Sequence, residues 1–190
     1  MYYLAKIIFY LPIKLFMWCK IKNKVKLPKK KDGNFILVCN HLSNWDVFLL
    51  VVNLPYKIRF IAKKELIKSK FLKWFFKHAG VIVVDRENPS IESMKEMIRV
   101  VKNNEILGIF PEGSRNKTKN PLLEFKPGFE KIAEKTSTPL LVITINKKPR
   151  FFHLTTIDII GLYNCEKNVD NINIIKQQMT NSIQGENKNV

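Results

Sequence analysis

The stretch FILVCNHLSNWDVFLLVVN, residues 35–53, decides the fold. Its first five residues, Phe35 to Cys39, are apolar without alternation, the pattern of a strand covered on both faces. A short polar segment follows, and from Ser43 to about Asn53 the apolar residues take helical spacing. A buried strand running into a helix is the unit of a layered α/β domain. Working outward, the same rhythm recurs. Strands are predicted at Ile58–Ala62, Val81–Asp85, Ile106–Phe110, Leu140–Ile145 and Phe152–Ile160, with helices over Glu65–His78, Ser90–Asn103 and Gly128–Lys135. The helix from Ser90 carries Ile91, Met94, Ile98 and Val101 on one face. The expected architecture is a single α/β domain with a largely parallel, mixed sheet flanked by helices, and 190 residues suffice for one such core.

Four regions are expected. Residues 1–20 form an amphipathic membrane-anchor helix, 21–33 a basic linker, 34–183 the main domain and 184–190 a disordered tail. In the first twenty residues, MYYLAKIIFYLPIKLFMWCK, Lys6 and Lys14 interrupt a stretch only marginally long enough to span a bilayer. On a helix Lys6, Lys14 and Lys20 share an arc of roughly 120°, with Ile7, Ile8, Leu11, Leu15 and Trp18 opposite them. That describes a helix lying in the membrane interface, with a true span and plain core packing as the alternatives. The helix at 65–78 sets Phe71, Trp74, Phe75 and Phe76 among lysines, which suits either core packing or a second membrane-facing surface.

Thirty-three Lys and Arg against 16 Asp and Glu give a net charge of +17, which favours an anionic partner: nucleic acid, an anionic membrane or a phosphorylated small molecule. No nucleic-acid fold signature accompanies the charge, and none is expected as partner. Cys19, Cys39 and Cys165 are far apart and odd in number, so neither a disulfide framework nor a zinc spacing is implied, and no metal is expected. Cys39 and His41 share a strand face, but a thiolate pair lacks an orienting partner. His78 reads as a helix C-terminal cap and His153 as a structural histidine within a strand.

His41 and Asp46 lie just beyond a strand's C-terminal end, where α/β folds concentrate their chemistry. On a continuous helix five residues would leave them about 140° apart, so contact requires His41 to precede the helix and fold back over its first turn. With Ser43 as N-cap, Asp46 can accept the imidazole N–H and leave the other ring nitrogen basic. The competing reading is a capping-box pattern, in which Asp46 only closes the helix start.

NHLSNWD resembles the NHxxxxD signature of the glycerolipid acyltransferases of the 1-acyl-sn-glycerol-3-phosphate acyltransferase (PlsC-type) family. Three further blocks match in order: GVIVVDR (residues 80–86), FPEGSRN (110–116) and TPLLV (138–142). The runs AKKEL (62–66) and FKPG (125–128) are also similar to family segments. The resemblance implies a glycerol-3-phosphate acyltransferase-like fold and catalysis by His41 as general base with Asp46 orienting it. It implies acyl transfer from acyl-CoA or acyl-carrier protein, as co-substrate and without a further cofactor, to the sn-2 hydroxyl of 1-acyl-sn-glycerol-3-phosphate (lysophosphatidic acid), forming phosphatidic acid. Arg86, Glu112, Gly113, Ser114, Arg115 and Lys126 are the substrate-binding candidates it implies. Taken alone, Pro111-Glu112-Gly113 is also good turn chemistry, and Arg86 could be a solvated surface charge.

The same resemblance leaves room for a lysophospholipid transacylase or a different headgroup acceptor, and a basic non-enzymatic binding module is the distant alternative. The expected location is the cytoplasmic face of the cell membrane, peripheral or monotopic. Departures from the family pattern are Ser114 for Thr, Asn116 for Ser, and Val142 where a second proline is common.

Overall fold

The computed structural model describes residues 2–187 apart from 24, 30–32, 68, 86–89 and 168; at residues 5, 23, 71, 72, 186 and 187 it describes the backbone alone. Its elements in chain order are α1 (Tyr2–Phe16), β1 (Cys19–Asn23), β2 (Ile36–Cys39), α2 (Trp45–Asn53), β3 (Ile58–Lys63), α3 (Lys70–Ala79), β4 (Ile82–Val84), α4 (Ile91–Lys102), β5 (Ile106–Ile109), α5 (Gly128–Thr136), β6 (Leu140–Ile145), β7 (Thr155–Tyr163) and α6 (Asn171–Asn187). A single 3-10 turn, Lys64–Leu66, separates β3 from α3.

The seven strands form one sheet in the order β1-β7-β6-β2-β5-β3-β4, parallel throughout except for the β6–β7 pair. Strand β2 sits at its centre and all four of its residues are buried. Leu37 and Cys39 join the core beneath α1 and α2, while Ile36 and Val38 join the core beneath α4, α5 and α6. Burial on both faces is why the run shows no alternation.

Several expectations are corrected. Residues 1–20 are not one helix: α1 ends at Phe16, and Cys19–Asn23 pairs with β7 as an edge strand, so the expected linker begins inside the sheet. Cys19 and Ile21 pack against the core while Lys20 faces solvent, an alternation that polar flanking residues disguise. The helix predicted at Glu65–His78 is broken between Leu66 and Lys70. Strand β7 starts at Thr155 rather than Phe152, which leaves His153 exposed in the preceding loop and bonded to the Phe151 carbonyl. The C-terminal segment carries the unexpected α6, whose Ile175, Met179 and Ile183 are buried at four-residue spacing. It continues to Asn187, so residues 184–187 are helical rather than part of a disordered tail; 188–190 lie outside the described residues.

Helix α1 is also turned differently from expectation. Lys6 donates to the Leu54 carbonyl (3.0 Å) and Lys14 to Asn53 Oδ1 (2.7 Å), both at the C-terminal end of α2. Those cations serve the carbonyl-rich end of a neighbouring helix. Tyr2, Ile13 and Met17 enter the core, while Ile7, Ile8, Leu11, Leu15 and Trp18 are all more than half exposed. The outward face of α1 is therefore apolar. Among the described residues no helix is long and apolar enough to cross a membrane.

Candidate active site

Strands β2 and β5 run parallel and adjacent, so the segments leaving their C-terminal ends meet. From β2 come Asn40 and His41, and from β5 come Phe110 and the loop through Lys126. The fully buried Asn40 acts as a peptide-like clasp, its amide donating to the Ile145 carbonyl (2.9 Å) while its Oδ1 accepts from Ile145 N–H (2.7 Å). Each of its two polar atoms thus continues the β2–β6 ladder by one step.

The main chain of His41 is gripped from both sides by the β5 loop. Its N–H donates to Glu112 Oε1 (2.8 Å), and its carbonyl accepts from Asn116 N–H (2.7 Å). Its ring stacks on Phe110 at 4.1 Å and 16°, and Phe110 stacks in turn on Phe60 at 5.6 Å. Gly108 makes room for that column. A Cβ there would lie 2.7 Å from the Phe60 ring, a clash only glycine avoids.

His41 Nδ1 lies 2.8 Å from Asp46 Oδ2. The same oxygen accepts the N–H groups of Leu42 (2.6 Å) and Ser43 (2.7 Å). One atom thus makes the contacts of both arrangements: Asp46 Oδ2 closes the turn into α2 and lies against the imidazole. Ser43 Oγ accepts from Trp45 N–H at 3.3 Å, and the helix proper starts at Trp45, two residues later than expected. Asp46 is fully buried, and no group among the described residues reaches its Oδ1. An ionised carboxylate can only accept, so the neutral imidazole tautomer that fits it has the proton on Nδ1 and a lone pair on Nε2. The His41 side chain is 12% exposed, so a reactant can reach its outer edge.

Glu112, expected to bind substrate, turns its carboxylate inward onto the backbone. Its carboxylate is buried, with Oε1 on His41 N–H and Oε2 on Leu123 N–H at 2.9 Å, so neither oxygen faces a ligand. Burial pushes its carboxyl above the ordinary value, and the two backbone donors pull it back. Glu112→Gln sets an amide NH₂ against one of those backbone donors. It should cost about 1–3 kcal/mol of stability and loosen His41, read as a lower melting temperature together with a lower kcat.

Gly113 adopts φ +67°, and its N–H closes a turn onto the Phe110 carbonyl (3.0 Å) instead of facing an anion. Its missing Cβ lets the Lys126 stem cross, since a Cβ would meet Lys126 Cε at 2.9 Å. Ser114 and Arg115 are exposed at the loop's tip, and Lys126 is exposed beside it. Arg86 lies outside the described residues. The TPLLV block is sheet core: Leu140, Leu141 and Val142 are fully buried, and Val142 pairs with Val38.

Cys39 is fully buried and its thiol is pushed well above the ordinary range, first by desolvation and then by Asp46 and Glu112, so it is no thiolate partner for His41. His78 bonds the Trp74 carbonyl of its own helix, as a helix-end residue should. Asn40, Phe60 and Gly108 have no role in the sequence reading, and Asn116 enters it only as a departure from the family pattern. Asn116 is the informative one. Its side chain ties the loop to Asn120 and Thr118 while its N–H holds His41, which accounts for an amide at that place.

Two concavities flank the site. A cavity of about 730 Å³ is lined by Asn40, Leu42 and Asn116 together with Lys117, Lys119 and Lys148, and no carboxylate among the described residues lines it. An apolar cleft of about 100 Å³ lies between α1, α2 and α3, with Phe9, Phe48, Phe60, Phe75 and Phe76 in its wall. Among the described residues no group of three or more His, Cys, Asp or Glu could hold a metal ion.

Comparison with known proteins gives a consistent picture. A family model described as Acyltransferase matches residues 19–146. A 1-acyl-sn-glycerol-3-phosphate acyltransferase of Bacillus subtilis is 43% identical over 124 residues, covering 64% of this chain and 59% of that protein. One from Cocos nucifera is 39% identical over 137 residues, covering 70% of this chain and 44% of its own. The chain thus spans about half the length of the curated relatives it matches. The crystal structure of the 1-acyl-sn-glycerophosphate acyltransferase PlsC from Thermotoga maritima superposes with a TM-score of 0.78 at 22% identity, covering 97% of this chain and 79% of that one. That likeness extends the shared fold through α1 and α6.

Proposed function

We propose, for a chain that belongs to the Acyltransferase family, that it acylates the sn-2 hydroxyl of 1-acyl-sn-glycerol-3-phosphate to form phosphatidic acid. The observation that carries the chemistry is the 2.8 Å contact between His41 Nδ1 and the buried Asp46 carboxylate, which leaves Nε2 as a base at the end of β2. Nε2 takes the hydroxyl proton as that oxygen attacks the carbonyl carbon of an acyl thioester. The new C–O bond forms, the C–S bond breaks, and the proton passes from the imidazolium to the departing thiolate. Asp46 holds the ring orientation and offsets the positive charge that builds on it.

The acceptor's phosphate is assigned to Arg115 and Arg86, with Lys126 beside them. Arg115 supports this reading because it is exposed one residue from Asn116, which itself holds His41. A guanidinium can take two phosphate oxygens at once. The test is an acceptor panel with purified protein: lysolipids bearing a free phosphomonoester should outpace those with choline, ethanolamine or glycerol headgroups. Equal rates for all would overturn the assignment.

The acyl donor, acyl-CoA or acyl-carrier protein, is assigned to the larger cavity. There Lys117, Lys119 and Lys148 line the wall and could meet the donor's phosphates. Lys117→Ala/Lys119→Ala should raise the KM for acyl-CoA by about tenfold, with little change in the KM for the lysolipid. Initial rates with each substrate varied in turn make the measurement. The apolar cleft behind Phe60 is assigned part of an acyl chain. The apolar outward face of α1 is assigned to the bilayer interface, making this a peripheral protein of the cytoplasmic membrane face.

A further inference from the structure

The loop between β6 and β7 reads NKKPRFFHL from Asn146 to Leu154, three cations followed by two phenylalanines. Its aromatic tip is not in the core. Phe151 is 48% exposed, Phe152 63% and Leu154 55%. Phe152 has φ +61°, a left-handed conformation that a bulky L-residue rarely adopts. The loop is nevertheless not loose. Asn146 Oδ1 accepts from Thr156 N–H (2.7 Å) at its base, and Phe152 N–H donates to the Phe16 carbonyl (2.6 Å) at the end of α1. Thr155 N–H donates to the Trp18 carbonyl (2.9 Å), so the loop is stitched to the chain leaving α1 at two points. A defined backbone that holds two phenyl rings outward needs a partner for those rings.

The surroundings indicate which partner. Phe16, itself 41% exposed, packs edge-on against Phe152 (5.6 Å) and Phe151 (6.4 Å), so the loop tip continues the apolar face of α1. Phe151 also packs edge-on against Trp45 (5.4 Å), the first residue of α2 and four positions from His41. Lys147 and Arg150 are exposed behind the tip, with no ion-pair partner among the described residues. Aromatic rings in front of cations match a bilayer edge, with acyl chains within and anionic headgroups outside.

We propose that the 147–154 loop is a second membrane-inserting element. Phe151 and Phe152 enter the acyl boundary of an anionic bilayer, Lys147 and Arg150 meet its headgroups, and α1 lies alongside. This rests on the reading of α1 as an interfacial helix and deepens it. With two adjoining attachments, the loop tip packed on Trp45 at the start of α2, the His41 end of the sheet is held at the lipid–water boundary. A lysolipid then reaches the base without leaving its bilayer.

The test is co-sedimentation of the full chain with vesicles of phosphatidylglycerol and phosphatidylcholine. Phe151→Ser/Phe152→Ser should weaken partitioning by about tenfold or more, with an unchanged circular dichroism spectrum. Phe151→Leu/Phe152→Leu keeps the apolar area and should remain within about threefold of wild type. Lys147→Ala/Arg150→Ala should weaken binding to anionic vesicles and flatten its salt dependence, with little effect on neutral ones. Wild-type partitioning by the serine variant would overturn the proposal. So would a dimer in solution that the serine variant dissolves while vesicle binding stays intact, because the patch would then join copies of the chain. Acyl transfer to a short-chain lysophosphatidate below its micelle concentration, measured in parallel, judges the proposed activity separately. Absence of transfer there would count against the activity and leave the vesicle result to decide the loop.

Discussion

His41→Ala is expected to lower kcat for acyl transfer by about 10²–10⁴-fold, the range for removal of a positioned general base. The loss should be chemical rather than structural. The imidazole contributes one stack on Phe110 and one bond to Asp46, while the backbone of residue 41 keeps its bonds to Glu112 and Asn116 whatever side chain it carries. The melting temperature should therefore fall little, and the KM values should change less than kcat. A variant that fails by unfolding would instead point to a structural histidine.

The second large effect is expected at Asp46. Asp46→Asn keeps the shape and one carbonyl oxygen for the N–H groups of Leu42 and Ser43, so the turn into α2 survives. That same oxygen faces Nδ1, so what is lost is the negative charge that offsets the imidazolium as it forms. The expected result is a fall in kcat of at least about 10²-fold with a small change in melting temperature. Asp46→Ala should add a stability loss of about 1–3 kcal/mol, because two buried backbone donors then lose their acceptor. A residue that served only as a helix cap would give the opposite split: reduced stability, with activity per folded molecule intact.

The legible part of the fold is the part written in apolar runs. Residues 36–39 and 140–145 are covered on both faces, so nothing in the sequence competes with the reading of a buried strand. Strand β1 was hidden because it lies at the sheet edge and alternates lysine with Cys19 and Ile21. Helix α6 was hidden by its polar composition, although Ile175, Met179 and Ile183 carry the four-residue spacing. A tertiary bond that no local pattern announces also ties it to the sheet: Ser182 donates to Asp158 Oδ2 (2.9 Å) on β7.

The site divides in the same way. The spacing of His41 and Asp46 shows what contact requires, a chain folding back over the helix start, and leaves a helix cap as the competing reading. The role of Glu112 could not be read, because an acidic residue in a Pro-Glu-Gly turn is ordinarily exposed. Here the turn is folded inward, and its carboxylate replaces water for two backbone groups. The contacts of Asn116 and Gly108 could not be read for a related reason. Each depends on a residue distant in sequence, His41 for the loop residue Asn116 and Phe60 on the neighbouring strand for Gly108.

The central claim is that His41, oriented by Asp46, is the base for acyl transfer to a lysophosphatidate. Its most direct test is the time course of labelled acyl transfer to 1-acyl-sn-glycerol-3-phosphate in mixed micelles, comparing wild type with His41→Ala and supplying acyl-CoA and acyl-carrier protein in turn. Wild type should give labelled phosphatidic acid with at least one donor, and the variant, melting at nearly the same temperature, a rate at least about 10²-fold lower. Equal rates from the two proteins, or no transfer by wild type from either donor, would contradict the claim.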